Sequence, residues 1–448
     1  MLIKNNFIVI VVSTVGAGIL IMLSGLMTGS MTAHLLGAAG RGELASIQLY
    51  GALLASIATS GLPAAVTYFT GRNVADAGSY YVTGIVVAFF IALPVAAAGY
   101  LSMPYLLSVQ TPAIISAARL YLLFIPLAII TSFSLASLQG QMKMSLWNLL
   151  RIIAAIFWLI PLGSLFLFAN VHAEFVSKVY LVFILIYSGI FVVILVRNIS
   201  GCLHARLELI KPMWAYSIPT SFAVFSQQSN LKLDQIFIAA LLPPELLGLY
   251  VVAVAWSAAH SPLTHAVSYV IVPHLTRLEN AEQRGMALSK ITRTSLVLNL
   301  ILTIIVIAIT PLAIRLLFGA QFLQAISICY ILLVGSVLAN MKLVYAEGLR
   351  GLGYPAVVMK GEFAGLIISG VLFPIFLKLY GLEGVAVASV IGYLVTFLFF
   401  AISSSKLVGV SVSHSLKPQW QDFVYIFDKL MDMFRKKINP EIKKVAGS

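Results

Sequence analysis

Charge is what this chain has least of. Asp, Glu, Lys and Arg make up 10% of its 448 residues and hydrophobic residues 60%, whereas a soluble globular protein carries about 25% charged residues. Too little polar surface remains to cover a water-soluble core, so a soluble globular domain is excluded and a membrane protein is implied. Acids are scarcer than bases, 15 against 28, for a net charge of +13. The basic surplus falls in short breaks between apolar runs, the pattern of cytoplasmic membrane loops. It has no basic face interleaved with aromatics and no zinc or RNA-binding signature, which argues against nucleic acid as a partner. There are two cysteines, Cys202 in a polar break and Cys329 in an apolar run. They have no metal-ligand spacing and are read as inert thiols rather than a disulfide. A P-loop, HExxH, GxSxG and a paired-acid metal motif are all missing. "GLRGLG" (348–353) lacks the strand and helix of a phosphate cradle. The chain is therefore read as a non-enzyme without cofactor or metal.

Long apolar runs are abundant. A helix needs about 20 apolar residues to cross a hydrocarbon core of roughly 30 Å. About twelve runs meet this length: 7–33, 44–70, 80–106, 113–139, 145–169, 176–196, 213–242, 246–272, 291–318, 323–349, 358–379 and 384–405. Each is continuous, without the alternation of a barrel strand, so the fold class is all-α. The first run is too long for a signal-peptide core and more runs follow, so it is read as an uncleaved first span. Even-numbered breaks carry Arg72, Lys143, Arg197, Arg206, Lys211, Arg277, Arg284, Lys290, Arg293, Arg350 and Lys360, and odd-numbered breaks only Arg41, Lys178 and Lys378. The positive-inside rule then places both termini in the cytoplasm. Beyond the last run, Trp420, Phe423, Phe427, Leu430, Met431, Phe434 and Ile438 recur at helical spacing. This predicts an amphipathic tail helix over 418–438, docked on lipid or on the protein itself.

An internal repeat divides the chain. "HLLGAAGRGELASI" (34–47) aligns with "ALLPPELLGLYVVA" (240–253), and Gly42 matches Gly248 at an offset of 206 positions (248 − 42 = 206). "SLQGQMKMSLWN" (137–148) resembles "GLRGLGYPAVVM" (348–359), with Gly140 opposite Gly351. Two matches in one order at nearly one offset predict two six-helix lobes, 1–200 and 201–405, around a central cavity, with a cytoplasmic tail at 406–448. Repeats of this kind are common in transporters, with the substrate path between them.

The stretch "LLGAAGRGELASIQLYGALLASIATSGLPAAVTYFTGR" (35–72) resembles the second-span signature of Wzx-type polysaccharide-unit flippases. "LDQIFIAALLPPELLGLYVVAVAW" (233–256) resembles their seventh-to-eighth-span signature. The resemblance implies a member of the multidrug/oligosaccharidyl-lipid/polysaccharide exporter superfamily in the cytoplasmic (inner) membrane. It implies transfer of an undecaprenyl-diphosphate-linked oligosaccharide from the inner to the outer leaflet, with H+ or Na+ as a possible coupling ion. Its partners would be membrane lipids and the polysaccharide polymerase machinery. Alternatives are a cation-coupled drug antiporter of the same superfamily, which would favour an acidic cavity, and a peptidoglycan-precursor flippase, whose members typically have fourteen spans. A polymerase of the pathway would carry a large outer loop that this chain lacks.

Ionisable groups inside spans are costly and become functional candidates. "SQQSNLKLDQ" (226–235) places Gln227, Asn230 and Asp234 on one stripe of the seventh span, with Gln228 and Lys232 on the next. The eighth span carries His260 and His265 on a hydroxyl-rich face, and Pro262 is expected to kink it. Arg119 and Lys342 lie deep in the fourth and tenth spans. Lys232, Arg119 and Lys342 with the two histidines would suit a diphosphate, since Arg forks onto phosphate oxygens and Lys offers a point charge. Asp234 would reset the site. Arg315, Arg151 and Glu362 are read as snorkelling to span ends. Arg41 and Glu43 are read as an outer surface turn, with a gating contact between lobes as the sharper alternative.

Overall fold

A computed structural model describes residues 2–59, 61–276, 278, 280–409, 411–417 and 419. The tail helix expected at 418–438 lies outside the described residues. The described chain is nearly all helix. Among the described residues, eight stretches are long and apolar enough to cross a bilayer. Two of them, Ser13–Thr59 and Pro355–Val408, exceed one crossing and break at Gly37 and Gly381. Both glycines have positive φ, +68° and +61°, where a side chain would be strained. Leu207–Leu241 supplies the more polar seventh span, and the two shorter helices Pro244–Ser257 and Ser261–Thr276 together supply the eighth. Twelve spans result, matching the apolar runs in order.

At each break the chain doubles back. A Cβ on Gly392 would lie 1.8 Å from Ser369 Oγ, and one on Gly384 would lie 2.1 Å from the Phe376 carbonyl. The eleventh and twelfth spans are thus an antiparallel pair. The same holds for the first two, whose residues Gly25, Thr28, Gly29 and Thr32 share a cavity with Arg41, Ala45, Gln48 and Ala52. The bundle therefore has a hairpin end, with Gly37, Gly381 and the 242–243 turn, and a linker end, with 73–76 and 199–206.

Proline shapes two spans. The fourth is split into Pro112–Tyr121 and Phe124–Gly140. Leu122 N–H bonds the Arg119 carbonyl and Leu123 N–H that of Leu120, a three-residue spacing, ahead of Pro126, which has no N–H to give. The eighth breaks between Ser257 and Ser261, before Pro262, where the kink is expected.

The lobes meet through small residues. A Cβ on Gly42 would fall 1.7 Å from the Pro244 carbonyl oxygen, and one on Gly248 would fall 2.0 Å from the Ala38 carbonyl oxygen. The contact is reciprocal: each glycine meets the residue four before its counterpart in the repeat. Only a residue without Cβ lets two helix backbones approach this closely. At the other end, the chain between the sixth and seventh spans is fastened to the third. Gly78 N–H donates to the Ser200 carbonyl at 2.9 Å, the Arg206 N–H donates to Thr83 Oγ1 at 3.0 Å, and Arg206 pairs with Asp76 at 3.2 Å.

Candidate functional site: a basic cavity between the lobes

The first span presents one stripe to the interior. Thr14, Gly18, Ile21, Gly25, Thr28 and Thr32 recur at three- and four-residue steps, the spacing of one helical face. A Cβ on Gly18 or Gly25 would meet nothing within 4 Å, so the glycines border open space. From Thr14 to Thr32 the stripe runs about 27 Å at 1.5 Å per residue, close to the full hydrocarbon thickness. Two cavities lie along it.

Towards the hairpin end is a cavity of about 430 Å³. Arg41, Gln48, Lys232 and Gln235 line it together with a wall of Tyr121, Phe124, Trp158 and Tyr180. The wall is preassembled: Tyr121 stacks on Phe124 at 5.3 Å and Trp158 meets Tyr180 edge-on at 4.8 Å. Arg41 Nε is buried without a hydrogen-bond partner among the described residues. Arg41 is thus not the solvated surface residue the sequence suggested. Gly42 beside it packs against the other lobe, which turns the Arg41 side chain inwards.

Towards the linker end is a smaller cavity of about 250 Å³, lined by Thr14, Gly18, Arg151, Pro262 and His265. Arg151 stacks over Trp147 at 4.2 Å, and its Nη1 is buried with no hydrogen-bond partner among the described residues. The snorkelling expected of Arg151 is therefore wrong: the ring beneath it holds the guanidinium towards the cavity. Among the described residues, the two cavities are lined by Arg41, Lys232, Arg151 and His265, and by no carboxylate.

The other candidates fall elsewhere. Asp234 is buried and accepts from Tyr250 Oη at 2.7 Å, Ser389 Oγ at 3.0 Å and the Gln235 N–H at 2.7 Å. It ties the seventh span to the eighth and twelfth, and its partners among the described residues are neutral. Lys342 pairs with Glu362 at 2.8 Å, and Asn230 Nδ2 donates to the same oxygen at 2.9 Å. Glu362 does not reach for the membrane surface; at 2% exposure it is turned against the tenth span. His260 Nε2 sits 3.2–3.4 Å from Thr303, Ser336 and Asn340, and Asn340 Nδ2 donates to Asn299 at 2.8 Å. That polar knot joins the eighth, ninth and tenth spans. Gln228 is exposed, and the side chain of Gln227 lies outside the described residues. Arg119 sits over Tyr100 beside a cleft between the third and fourth spans. Of the nine expected site residues, Lys232 and His265 line the cavities. Arg41 and Arg151 were missed as site residues; the signal available was that both interrupt otherwise apolar surroundings.

The fold has close parallels among solved structures. The lipid II flippase MurJ, inward closed conformation, superposes with a TM-score of 0.72 at 16% identity, covering 96% of this chain and 93% of that one. An inward-facing multidrug resistance MATE family transporter of the MOP superfamily gives 0.66 at 16% identity, covering 89% and 96%. A MOP superfamily transporter from Pyrococcus furiosus, described by a reverse polarity of its binding pocket, gives 0.58 at 14% identity, covering 89% and 96%. These likenesses show the twelve-helix, two-lobe fold. No curated protein matches the chain in sequence. The sequence pattern of the polysaccharide biosynthesis protein family matches residues 3–279, and with the two-lobe fold and its basic interior in view, the chain belongs to that family of multi-pass membrane proteins.

Proposed function

We propose that the protein is a flippase that carries a lipid-diphosphate-linked oligosaccharide from the inner to the outer leaflet of the cytoplasmic membrane by alternating access. The observation that carries this reading is the sign of the path: among the described residues, four basic side chains and no carboxylate line the two cavities. A diphosphate carries about two negative charges, and burying it without counter-charge costs several kcal/mol or more. Arg41 and Lys232 would hold it near the hairpin end, and Arg151 and His265 near the linker end. Gln48, Gln235 and the hydroxyls of the first span offer hydrogen bonds to sugars, and the aromatic wall offers apolar ring faces. The lipid tail stays in the bilayer. Loop charges orient the hairpin end outwards and both termini inwards. An organic-cation antiporter would need acids in these cavities. H+ and Na+ are the coupling ions to test, and polysaccharide polymerase is the partner that would consume the product.

The test is export of surface polysaccharide in a strain lacking its own flippase, with protein level followed in the membrane fraction. A charge-assisted hydrogen bond contributes roughly 1.5–3 kcal/mol. Lys232→Ala and Arg41→Ala should therefore each lower export about tenfold to a hundredfold at normal protein level. Lys232→Arg should keep part of it, because charge persists while geometry changes. Full export by both alanine variants would remove these residues from the path. Rescue of peptidoglycan-precursor transport instead of polysaccharide export would move the substrate to that class.

A further inference from the structure

Arg119 lies outside both cavities. It borders a cleft of about 730 Å³ between the third and fourth spans, where Nε donates to the Tyr100 carbonyl at 3.2 Å and the guanidinium sits 4.4 Å from the Tyr100 ring centre. The third-span side of the cleft is made of Phe89, Leu93 and Tyr100 around three alanines, Ala92, Ala96 and Ala97. The alanines leave the space. Phe89 to Tyr100 covers about 16 Å along the helix, roughly half of a 30 Å core and so one leaflet.

A second cleft, about 400 Å³, runs down the other side of the fourth span, against Leu181, Val182 and Leu185 of the sixth, and includes Lys178. Leu120, Leu123 and Pro126 line both clefts. The fourth span is thus a ridge between two apolar grooves, broken at 122–123 where they meet. Leu93, Leu123 and Leu185 are 68%, 56% and 58% exposed, as side chains facing lipid are. Arg119 lies about 10 Å along its helix from Pro112, and Lys178 about 8 Å along its helix from Ala173; both distances run from the hairpin end. The two cations therefore sit at similar depth, one beside each groove. Neither forms an ion pair with a carboxylate among the described residues, and a cation near the hairpin end of a span is within reach of a lipid phosphate.

We propose that these grooves seat one diacyl anionic phospholipid astride the fourth span, an acyl chain in each groove and the phosphate between Arg119 and Lys178. Two apolar grooves, one about 16 Å long and the other about 10 Å at 1.5 Å per residue, match the upper parts of two chains; a polyprenyl carrier has one. The site is separate from the translocation path, since none of the groove residues named here lines either cavity.

The experiment titrates the purified full-length protein with phosphatidylglycerol in a phosphatidylcholine background of identical chains and counts bound lipid by native mass spectrometry. Wild type should retain one phosphatidylglycerol in preference to phosphatidylcholine. Arg119→Gln with Lys178→Gln should weaken that retention tenfold to a hundredfold, and Arg119→Lys with Lys178→Arg should preserve most of it. Ala96→Phe fills a groove without touching charge and should weaken retention on its own. If the double Gln variant does not reach the membrane, the two single Gln variants and Ala96→Phe decide. Equal retention of both lipids by wild type, unchanged retention in the variants, or displacement by a single-chain polyprenyl phosphate at lower concentration would each overturn the proposal.

Discussion

Lys342 and Glu362 are 4% and 2% exposed and hold each other at 2.8 Å, with Asn230 on the same carboxylate and the Tyr393 ring 5.3 Å from the ammonium. A charge pair this deep is sensitive to the loss of one member. Removing one partner of a buried pair costs about 3–5 kcal/mol, whereas replacing both with apolar groups of similar volume is often neutral. Lys342→Met alone, or Glu362→Met alone, should lower the thermal midpoint of the detergent-solubilised protein markedly, and the double Met variant should regain most of the loss. If each single variant melts like the wild type, the pair does not hold the tenth and eleventh spans together. Composition revealed that Lys342 sits in an apolar run. It could not reveal Glu362 as its partner, because the two meet only through the rotation of two helices about their own axes. The same holds for Arg151, equally consistent in sequence with a headgroup or a cavity, and for Arg119, whose depth was legible but whose facing was not.

The paired hairpins carry the next level of prediction. Gly42 and Gly248 bring the second and eighth spans into backbone contact at the hairpin end, and if the cavities are a transport path that contact closes it on that side. A methyl group at either position would sit under 2.1 Å from a carbonyl oxygen, and the helices must part to admit it. Gly42→Ala and Gly248→Ala should each raise the share of molecules open at the hairpin end. This would be read as a longer distance between spin labels at positions 39 and 245, in a variant whose transport is checked in parallel. An unchanged distance distribution in both variants would show that the contact does not set the closed state. The twelve spans and the repeat were legible because hydropathy and matched glycines are written along the chain. What the glycines touch was not, since backbone approach leaves no periodic mark.

Taken as a whole molecule, the chain segregates charge by purpose. Its bases cluster in the breaks at the linker end, its buried acids Asp234 and Glu362 are engaged in locks within the second lobe, and its cavities are left positive. If that potential draws in the cargo, Arg41→Glu with Lys232→Glu should abolish polysaccharide export altogether, beyond the loss from the alanine variants, because like charges then face the diphosphate. Residual export equal to that of the double alanine variant would show that the field of the cavity is immaterial.

The reciprocal glycine contact also bears on descent. Six spans per repeat is an even number, so two copies insert in the same sense and are related by an axis along the membrane normal. A contact in which each glycine meets the residue four before its counterpart is what an isologous dimer of six-span chains would make. In such a dimer every substitution appears twice. Once the copies are joined through 199–206, each can change alone, and at the cavity they have: the repeat positions matching Arg41 and Lys232 are Leu247 and Leu26. Fusion of the copies lets Arg41 and Lys232 stand in a two-fold frame without charged counterparts, and the proposed cargo, with one charged end and one bulky end, is the kind that such asymmetry can hold in one orientation.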